Sequence, residues 1–458
     1  MFPRSLKSSM VAALLASSTA HAKPYRIEIV DQENGWPVPL VELRTVHDAT
    51  YFSDNAGLIA IDDPDLFGRE IFFHLRSHGY QVKQDGFGYR GFRTRPTDGG
   101  TIKIEVERIN VAKRLGRLTG AGLFAEQEKL GGGSPLPASD IFGCDSVLMT
   151  PHGGKLFWLW GDTMLPGYPL GIYSSTAALT DLHPIQNFKP PLALPFQHFR
   201  DKENKPRGVA NLPGDGPTWL GGMISIPVKK DEPDWLVATY SKIKNHLDEY
   251  EVGLCVWDRE TQSFRRHKVL WEEGKGEKGI IPRGHPFRWK DSDAKQWLLY
   301  GDPFPTVKIP LADGGWDDPQ SWEKIAAPTP PRSASDGSEV RPHRGAVVWN
   351  PYRKRWITVF TRNFGKPSTF GEIYYAEAES PLGPWGKAVK VVTHDNYTFY
   401  NPTIHEEITP EGASYIVFEG TYTAEFADRA VATPRYNYNQ ILYRLDLDDP
   451  KLAAARGE

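Results

Sequence analysis

Five stretches of the chain place a polar or ionisable residue at or just ahead of an apolar run. They are Asp145 in GCDSVLMT, Asp215 in GDGPTWLGGMISIP, His285 in GHPFRW, Glu339 with His343 and Arg344 ahead of GAVVWN, and Asn401 in FYNPTIHEE. Three carboxyls, two imidazoles, a guanidinium and an amide make a constellation of proton-exchanging and hydrogen-bonding groups that apolar packing would not need. Two further acids belong with them. Asp162 follows an aromatic strand in WLWGDT, where it either reaches the same place or caps a turn. Glu419 lies inside the run VFEGTY, where a buried carboxylate is costly unless it pairs with an arginine or serves in catalysis.

The elements that must position these residues repeat. Each copy runs from an apolar strand to an aromatic-rich second strand and on to outer strands, as in KLFWLWGDT, DWLVATYSKI, QWLLYGDP, RWITVFTRN and SYIVFEGTY. The copies start about 50 to 75 residues apart, the spacing of four-stranded propeller blades. In such a ring the first strand of each blade lines the central channel, so the residues at the blade starts converge on one mouth. The rival jelly-roll sandwich gives no reason for a polar residue at each start. The ring is expected to close by borrowing a strand, from near Arg117 or from 441–447. Loops 187–211 and 302–340 are expected to shape the rim.

The chain has 43 Gly and 38 Pro among 458 residues, which argues against a helical bundle. Its formal net charge of −3 removes the electrostatic reason for nucleic-acid binding. Arg4 and Lys7, the apolar run 10–16 and Ala20-His21-Ala22 read as a leader cleaved after Ala22, which places the mature chain in the periplasm or outside the cell. No stretch is long and apolar enough to span a bilayer. Cys144 and Cys255 either pair or remain buried thiols. Neither G-x-S-x-G nor H-E-x-x-H occurs, which disfavours a protease. The fold class is all-β, a small N-terminal β-sandwich followed by a five-bladed β-propeller. The boundaries are a leader at 1–22, the sandwich at 24–109, a linker at 110–139 and the propeller at 140–449.

In the first of these units SDNAGLIAI puts Asp54, Asn55 and Gly57 ahead of an alternating strand. The segment resembles a transthyretin-like or carboxypeptidase-regulatory-like sandwich. That resemblance implies a spacer or an auxiliary binding module.

From 140 to 447 the chain resembles the five-bladed propeller glycoside hydrolases, family 43 and related endo-arabinanases. The likeness rests on the blade layout, on Asp145 and on GEIYYAEAESPLGPW. Where that family opens with His-Asp-Pro, this chain has Cys144-Asp145-Ser146. The resemblance implies hydrolysis of a poly- or oligosaccharide, with inversion when the two carboxyls stand ~6.5–9.5 Å apart. It implies Asp145 as general base, Glu339 as general acid and Asp215 as the group that tunes the acid. Asp162 and Glu419 are the alternative acids. His285, Arg341, His343, Arg344, Arg362, Asn401, Tyr422 and Arg435 are the expected substrate-binding residues. Arginine forks suit carboxylates or sulfates, so the carbohydrate is expected to be acidic unless these arginines serve salt bridges instead. His285 leaves room for a structural calcium, with no other cofactor expected. The protein is expected to act as a monomer.

Two other functions fit the same residues. A propeller polysaccharide lyase would use Tyr400, Tyr240 or His343 as base, with Arg341 or Arg344 neutralising a uronate. A non-catalytic glycan-binding envelope protein would keep the aromatics and tolerate loss of the carboxyls.

Overall fold

A computed structural model describes residues 23–133, 140–183, 185, 188–192, 194–227, 232–312, 314–427 and 431–458, and the side chains of 169 and 170 are not described. The leader expected over 1–22 lies outside the described residues. The regular structure is almost all strand, an all-β propeller-like fold preceded by a smaller β unit.

In the N-terminal unit, the strand Tyr25–Asp31 buries every second side chain, as a two-residue period requires. It pairs antiparallel with Leu58–Ile61 and parallel with Thr101–Arg108. A second four-stranded sheet holds Glu42–Thr45, Thr50–Phe52, Ile71–Arg76 and Gly91–Thr94. Ile27, Ile29, Leu43, Ile59 and Phe73 from the two sheets share one core. The turn into Leu58–Ile61 is organised by Asp54. Its Oδ1 accepts from the amides of Ala56 and Leu58, both at 2.9 Å. Gly57 adopts φ +69°, and a Cβ there would lie 2.4 Å from the Ile29 carbonyl oxygen.

Five four-stranded antiparallel sheets then follow among the described residues. Their innermost pairs are Val147–His152 with Lys155–Trp160, Thr218–Ile226 with Trp235–Lys244, Phe287–Lys290 with Gln296–Gly301, Pro342–Asn350 with Arg355–Arg362, and Thr398–Ile404 with Tyr415–Thr423. The last sheet takes its outer strand from far back in the chain. Lys113–Arg117 pairs antiparallel with Asn439–Asp446. The expected strand exchange therefore uses both candidate segments at once. Leu115 and Leu442 bury beside Trp158 and Val147 of the first sheet, so the seam between the last and first sheets has an apolar core.

Cys144 and Cys255 are buried, free thiols. Burial pushes the Cys144 thiol up to about 12, so it packs as a small apolar group. Among the described residues no helix is long and apolar enough to cross a membrane.

The two units are joined through the closing strand. Arg114, 2% exposed, donates to the carbonyls of Pro39 and His78 and to the Ser77 hydroxyl at 3.1, 2.8 and 2.6 Å. Asn55 brackets Arg117 with one bond to its amide and one from its own side-chain nitrogen to its carbonyl. Replacing Arg114 by Met leaves buried carbonyls without donors. Arg114→Met should lower unfolding stability by about 3 kcal/mol in urea denaturation. A loss within about 0.5 kcal/mol of zero would mean that Arg114 does not hold the junction.

Candidate functional site

All five sheets contribute to the wall of one cavity of about 900 Å³. Its acidic corner comes from the first sheet. Val147 pairs with Trp160, so Asp145, just before one strand, faces Asp162, just after the other. The Asp145 amide donates to the Asp162 carbonyl at 3.1 Å, and the Gly161 amide donates to the Asp145 carbonyl at 2.9 Å. The Asp145 carboxylate then accepts twice, from the Asp162 amide on Oδ1 and from the Tyr400 hydroxyl on Oδ2, each at 2.8 Å. Gly161 makes this possible, because a Cβ there would sit 2.1 Å from Asp145 Oδ1.

Burial pushes the Asp145 carboxyl up, against the hydroxyls of Tyr400 and Tyr438 and the Asp162 amide. Asp162 is pushed up to about 7, first by burial and then by the Asp145 charge, with the Trp219 indole opposing. That indole N–H lies 3.3 Å from Asp162 Oδ1. A third carboxyl enters from the third sheet. Asp302 is pushed up to about 6 by burial, offset in part by Arg344 and by the Gly345 amide. Arg344 Nη1 stands 3.5 Å from its Oδ2, and the Gly345 amide 2.9 Å from its Oδ1. Glu249 behaves oppositely. Burial would raise it, but hydrogen bonds from Arg283, Lys278 and Ser241 hold it near 2.

His285, His343, Arg344 and Asn401 also line the cavity. Burial lowers both histidines to about 4, so they are neutral at pH 7. Thr403 Oγ1 lies 3.3 Å from His285 Nδ1. A nitrogen and one hydroxyl do not fit calcium, which takes 6–8 oxygen ligands. Among the described residues no three His, Cys, Asp or Glu side chains stand where they could hold a metal ion. Asn401 donates to the Ser146 hydroxyl, and both residues have left-handed φ, +51° and +44°. Three buried polar atoms of the lining have no protein partner: Trp160 Nε1, His343 Nδ1 and Asn401 Oδ1.

Seven expected residues lie outside this cavity. Asp215 is exposed on the turn before Thr218–Ile226, and its carbonyl accepts from the Tyr250 hydroxyl. Glu339 is an exposed loop acid paired with the still more exposed Arg341 at 2.7 Å. Arg362 pairs with Glu372 at 3.3 Å, and Arg435 with Glu126. Glu419 is fully buried and paired with His405, Nε2 to Oε1 at 2.8 Å, rather than with an arginine. Tyr422 is buried in the core, its ring stacked on Tyr397 at 4.0 Å and its hydroxyl bonded to Thr433. The arginine salt bridges raised by the sequence are thus real, but the carboxylates concerned are mostly others.

Asp302 was missed as a site acid, although the sequence carries a signal for it. LWGDT and LYGDP both place Gly-Asp at the end of a sheet's second strand. Second strands of the same rank end at the same mouth, so a repeated Gly-Asp there places two carboxyls in one cavity.

Searched against protein families and against curated proteins, the sequence matches none. Among solved structures it is similar to an exo-1,5-α-L-arabinanase from a bovine ruminal metagenomic library, at 11% identity and TM-score 0.38, over 67% of this chain and 93% of that one. An arabinanase from Bacillus subtilis aligns at 12% identity and TM-score 0.34, over 66% and 96%. An N-acetylgalactosamine deacetylase from F. plautii, solved with blood group B trisaccharide, aligns at 9% identity and TM-score 0.39, over 75% and 98%.

The raised carboxyl of Asp162 has a consequence for stability. The folded chain holds this proton up to about pH 7, whereas the unfolded chain releases it near the ordinary value of 3.8. Between these values the folded state binds more protons, so stability falls as pH rises from about 4 to about 7. Asp162→Asn should remove about 2 kcal/mol of that slope and stabilise the chain above pH 7. Urea unfolding at pH 5 and pH 8 measures it. An unchanged slope would mean that Asp162 titrates normally.

Proposed function

We propose that the protein is a glycoside hydrolase acting on a poly- or oligosaccharide. One observation carries this reading: Asp145 and Asp162 from the first sheet and Asp302 from the third line one cavity, with Trp219 in its wall. Hydrolysis of a glycosidic bond needs a protonated carboxyl for the leaving oxygen and an ionised one for water. Asp162, raised to about 7, keeps its proton near neutrality and is the general acid. Asp302, at about 6 and paired with Arg344, is ionised there and is the general base. Asp145, expected to be the base, instead serves Asp162. Its carboxylate is already occupied by two hydrogen bonds, and its charge raises the acid beside it. The face of Trp219, half-buried in the cavity wall, suits a sugar C–H surface.

Elimination is less well served. Burial and the Asp145 carboxylate push the Tyr400 hydroxyl well above its ordinary value, the wrong direction for a base. Tyr240 donates its hydroxyl to Glu251 within the core.

Asp162→Asn and Asp302→Asn should each lower kcat by ~10²–10⁴-fold while leaving the fold intact. For the wild-type chain, kcat/KM should peak between about pH 6 and about pH 7, where Asp302 is ionised and Asp162 protonated. The assay is mass spectrometry of products from a panel of neutral and acidic polysaccharides. Hydrolysis yields saturated products that carry one added water. Unsaturated products would establish a lyase, and binding without products would establish a glycan-binding protein.

A further inference from the structure

Phe364 and Phe426 stand on separate loops. One connects Arg355–Arg362 to Glu372–Ala378, and the other connects Tyr415–Thr423 to Asn439–Asp446. Both border the cavity, and they are 73% and 64% exposed. Both also hold left-handed backbone, φ +50° and +61°, a region that bulky side chains disfavour. Their rings converge on one neighbour. Phe370 lies 5.6 Å from Phe364 and 6.2 Å from Phe426, and it also stacks on the His343 ring at 4.2 Å. An exposed phenylalanine gains little from burial, and a glycine or asparagine would suit the backbone better. Neither folding nor solubility accounts for two such residues meeting at the same ring.

The charges of the cavity supply the second observation. Its two arginines are both engaged, Arg283 with Glu249 at 2.7 Å and Arg344 with Asp302 at 3.5 Å. The lining also carries Asp145 and Asp162, so carboxyls outnumber guanidinium groups. Arg341, Arg362 and Arg435, expected to receive an acidic sugar, are paired elsewhere.

We propose that Phe364, Phe370 and Phe426 form a stacking wall at the cavity rim for a saccharide unit beyond those that flank the cleaved bond, and that this unit is uncharged. The inference rests on the glycoside hydrolase reading for the identity of its ligand. A sugar ring presents C–H groups to an aromatic face, which carries negative potential and no hydrogen-bonding atom. A carboxylate or sulfate placed there would meet that negative face and the surplus carboxyls, with no unpaired arginine to receive it.

The experiment is a glycan array of neutral oligosaccharides of increasing length, with uronate and sulfated counterparts, probed with the full chain and with the Phe364→Ala, Phe426→Ala double variant. Both positions are exposed, so the variant keeps the fold. Wild type should be retained by neutral members only. The double variant should bind the longer ones at least tenfold more weakly and the shortest ones nearly as well. Retention on uronate or sulfated members, binding by the variant equal to wild type, or no retention at all would overturn the proposal. Product analysis on the same glycans separates the two readings. Hydrolysis with an unaffected double variant defeats only the wall, whereas length-dependent binding without hydrolysis defeats only the hydrolase.

Discussion

The Asp145 carboxylate is the point on which the rest depends. One oxygen accepts an amide from its own hairpin, and the other accepts the Tyr400 hydroxyl from the last sheet. It therefore ties the first sheet to the last across the seam where the ring closes. A carboxylate held this way has one orientation and no freedom to screen itself by turning toward water. Its charge stays beside Asp162, and the proton affinity of that neighbour follows. Gly161 is the covalent condition for all of it, since any side chain there would occupy the space of Oδ1.

The seam and the site are one construction. Leu115 and Leu442 supply the apolar part of the closure, and Asp145 with Tyr400 supplies the polar part. Burial that stabilises the ring also removes water from the carboxyls, which raises Asp145, Asp162 and Asp302 together. The arginine beside Asp302 then sets it apart from Asp162. Two aspartates of ordinary chemistry come to differ because one has a cation as neighbour and the other an anion.

Much of the architecture was legible because it is periodic. The repeated strand pairs, the Asp54 turn and the borrowed strand all follow from apolar runs and turn residues. Asp145, His285, His343, Arg344 and Asn401 reach the cavity as their place ahead of, or within, the first strands suggested. Glu339 and Asp215 do not, because the turn leading into each first strand has its own length and shape. A residue two positions before Val147 faces the mouth, whereas one three positions before Pro342 faces solvent. Tyr422 was misread for another reason. Its strand is buried on both faces, so no alternation tells core from channel. Asp302 was hidden by its proline neighbour, which made Asp-Pro look like the start of a loop.

The borrowed strand also orders events in time. Lys113–Arg117 leaves the ribosome directly behind the N-terminal unit, and its partner follows over three hundred residues later, Arg117 and Arg435 being 318 apart. Chains fold as they emerge, N-terminal part first. For most of synthesis this segment is therefore a strand edge without a mate, exposed to wrong pairing. The N-terminal unit shelters it. Pro39, Ser77 and His78 grip Arg114, and Asn55 grips Arg117, long before the last sheet exists. The strand that completes the ring thus has polar partners in the small unit that do not depend on the last sheet.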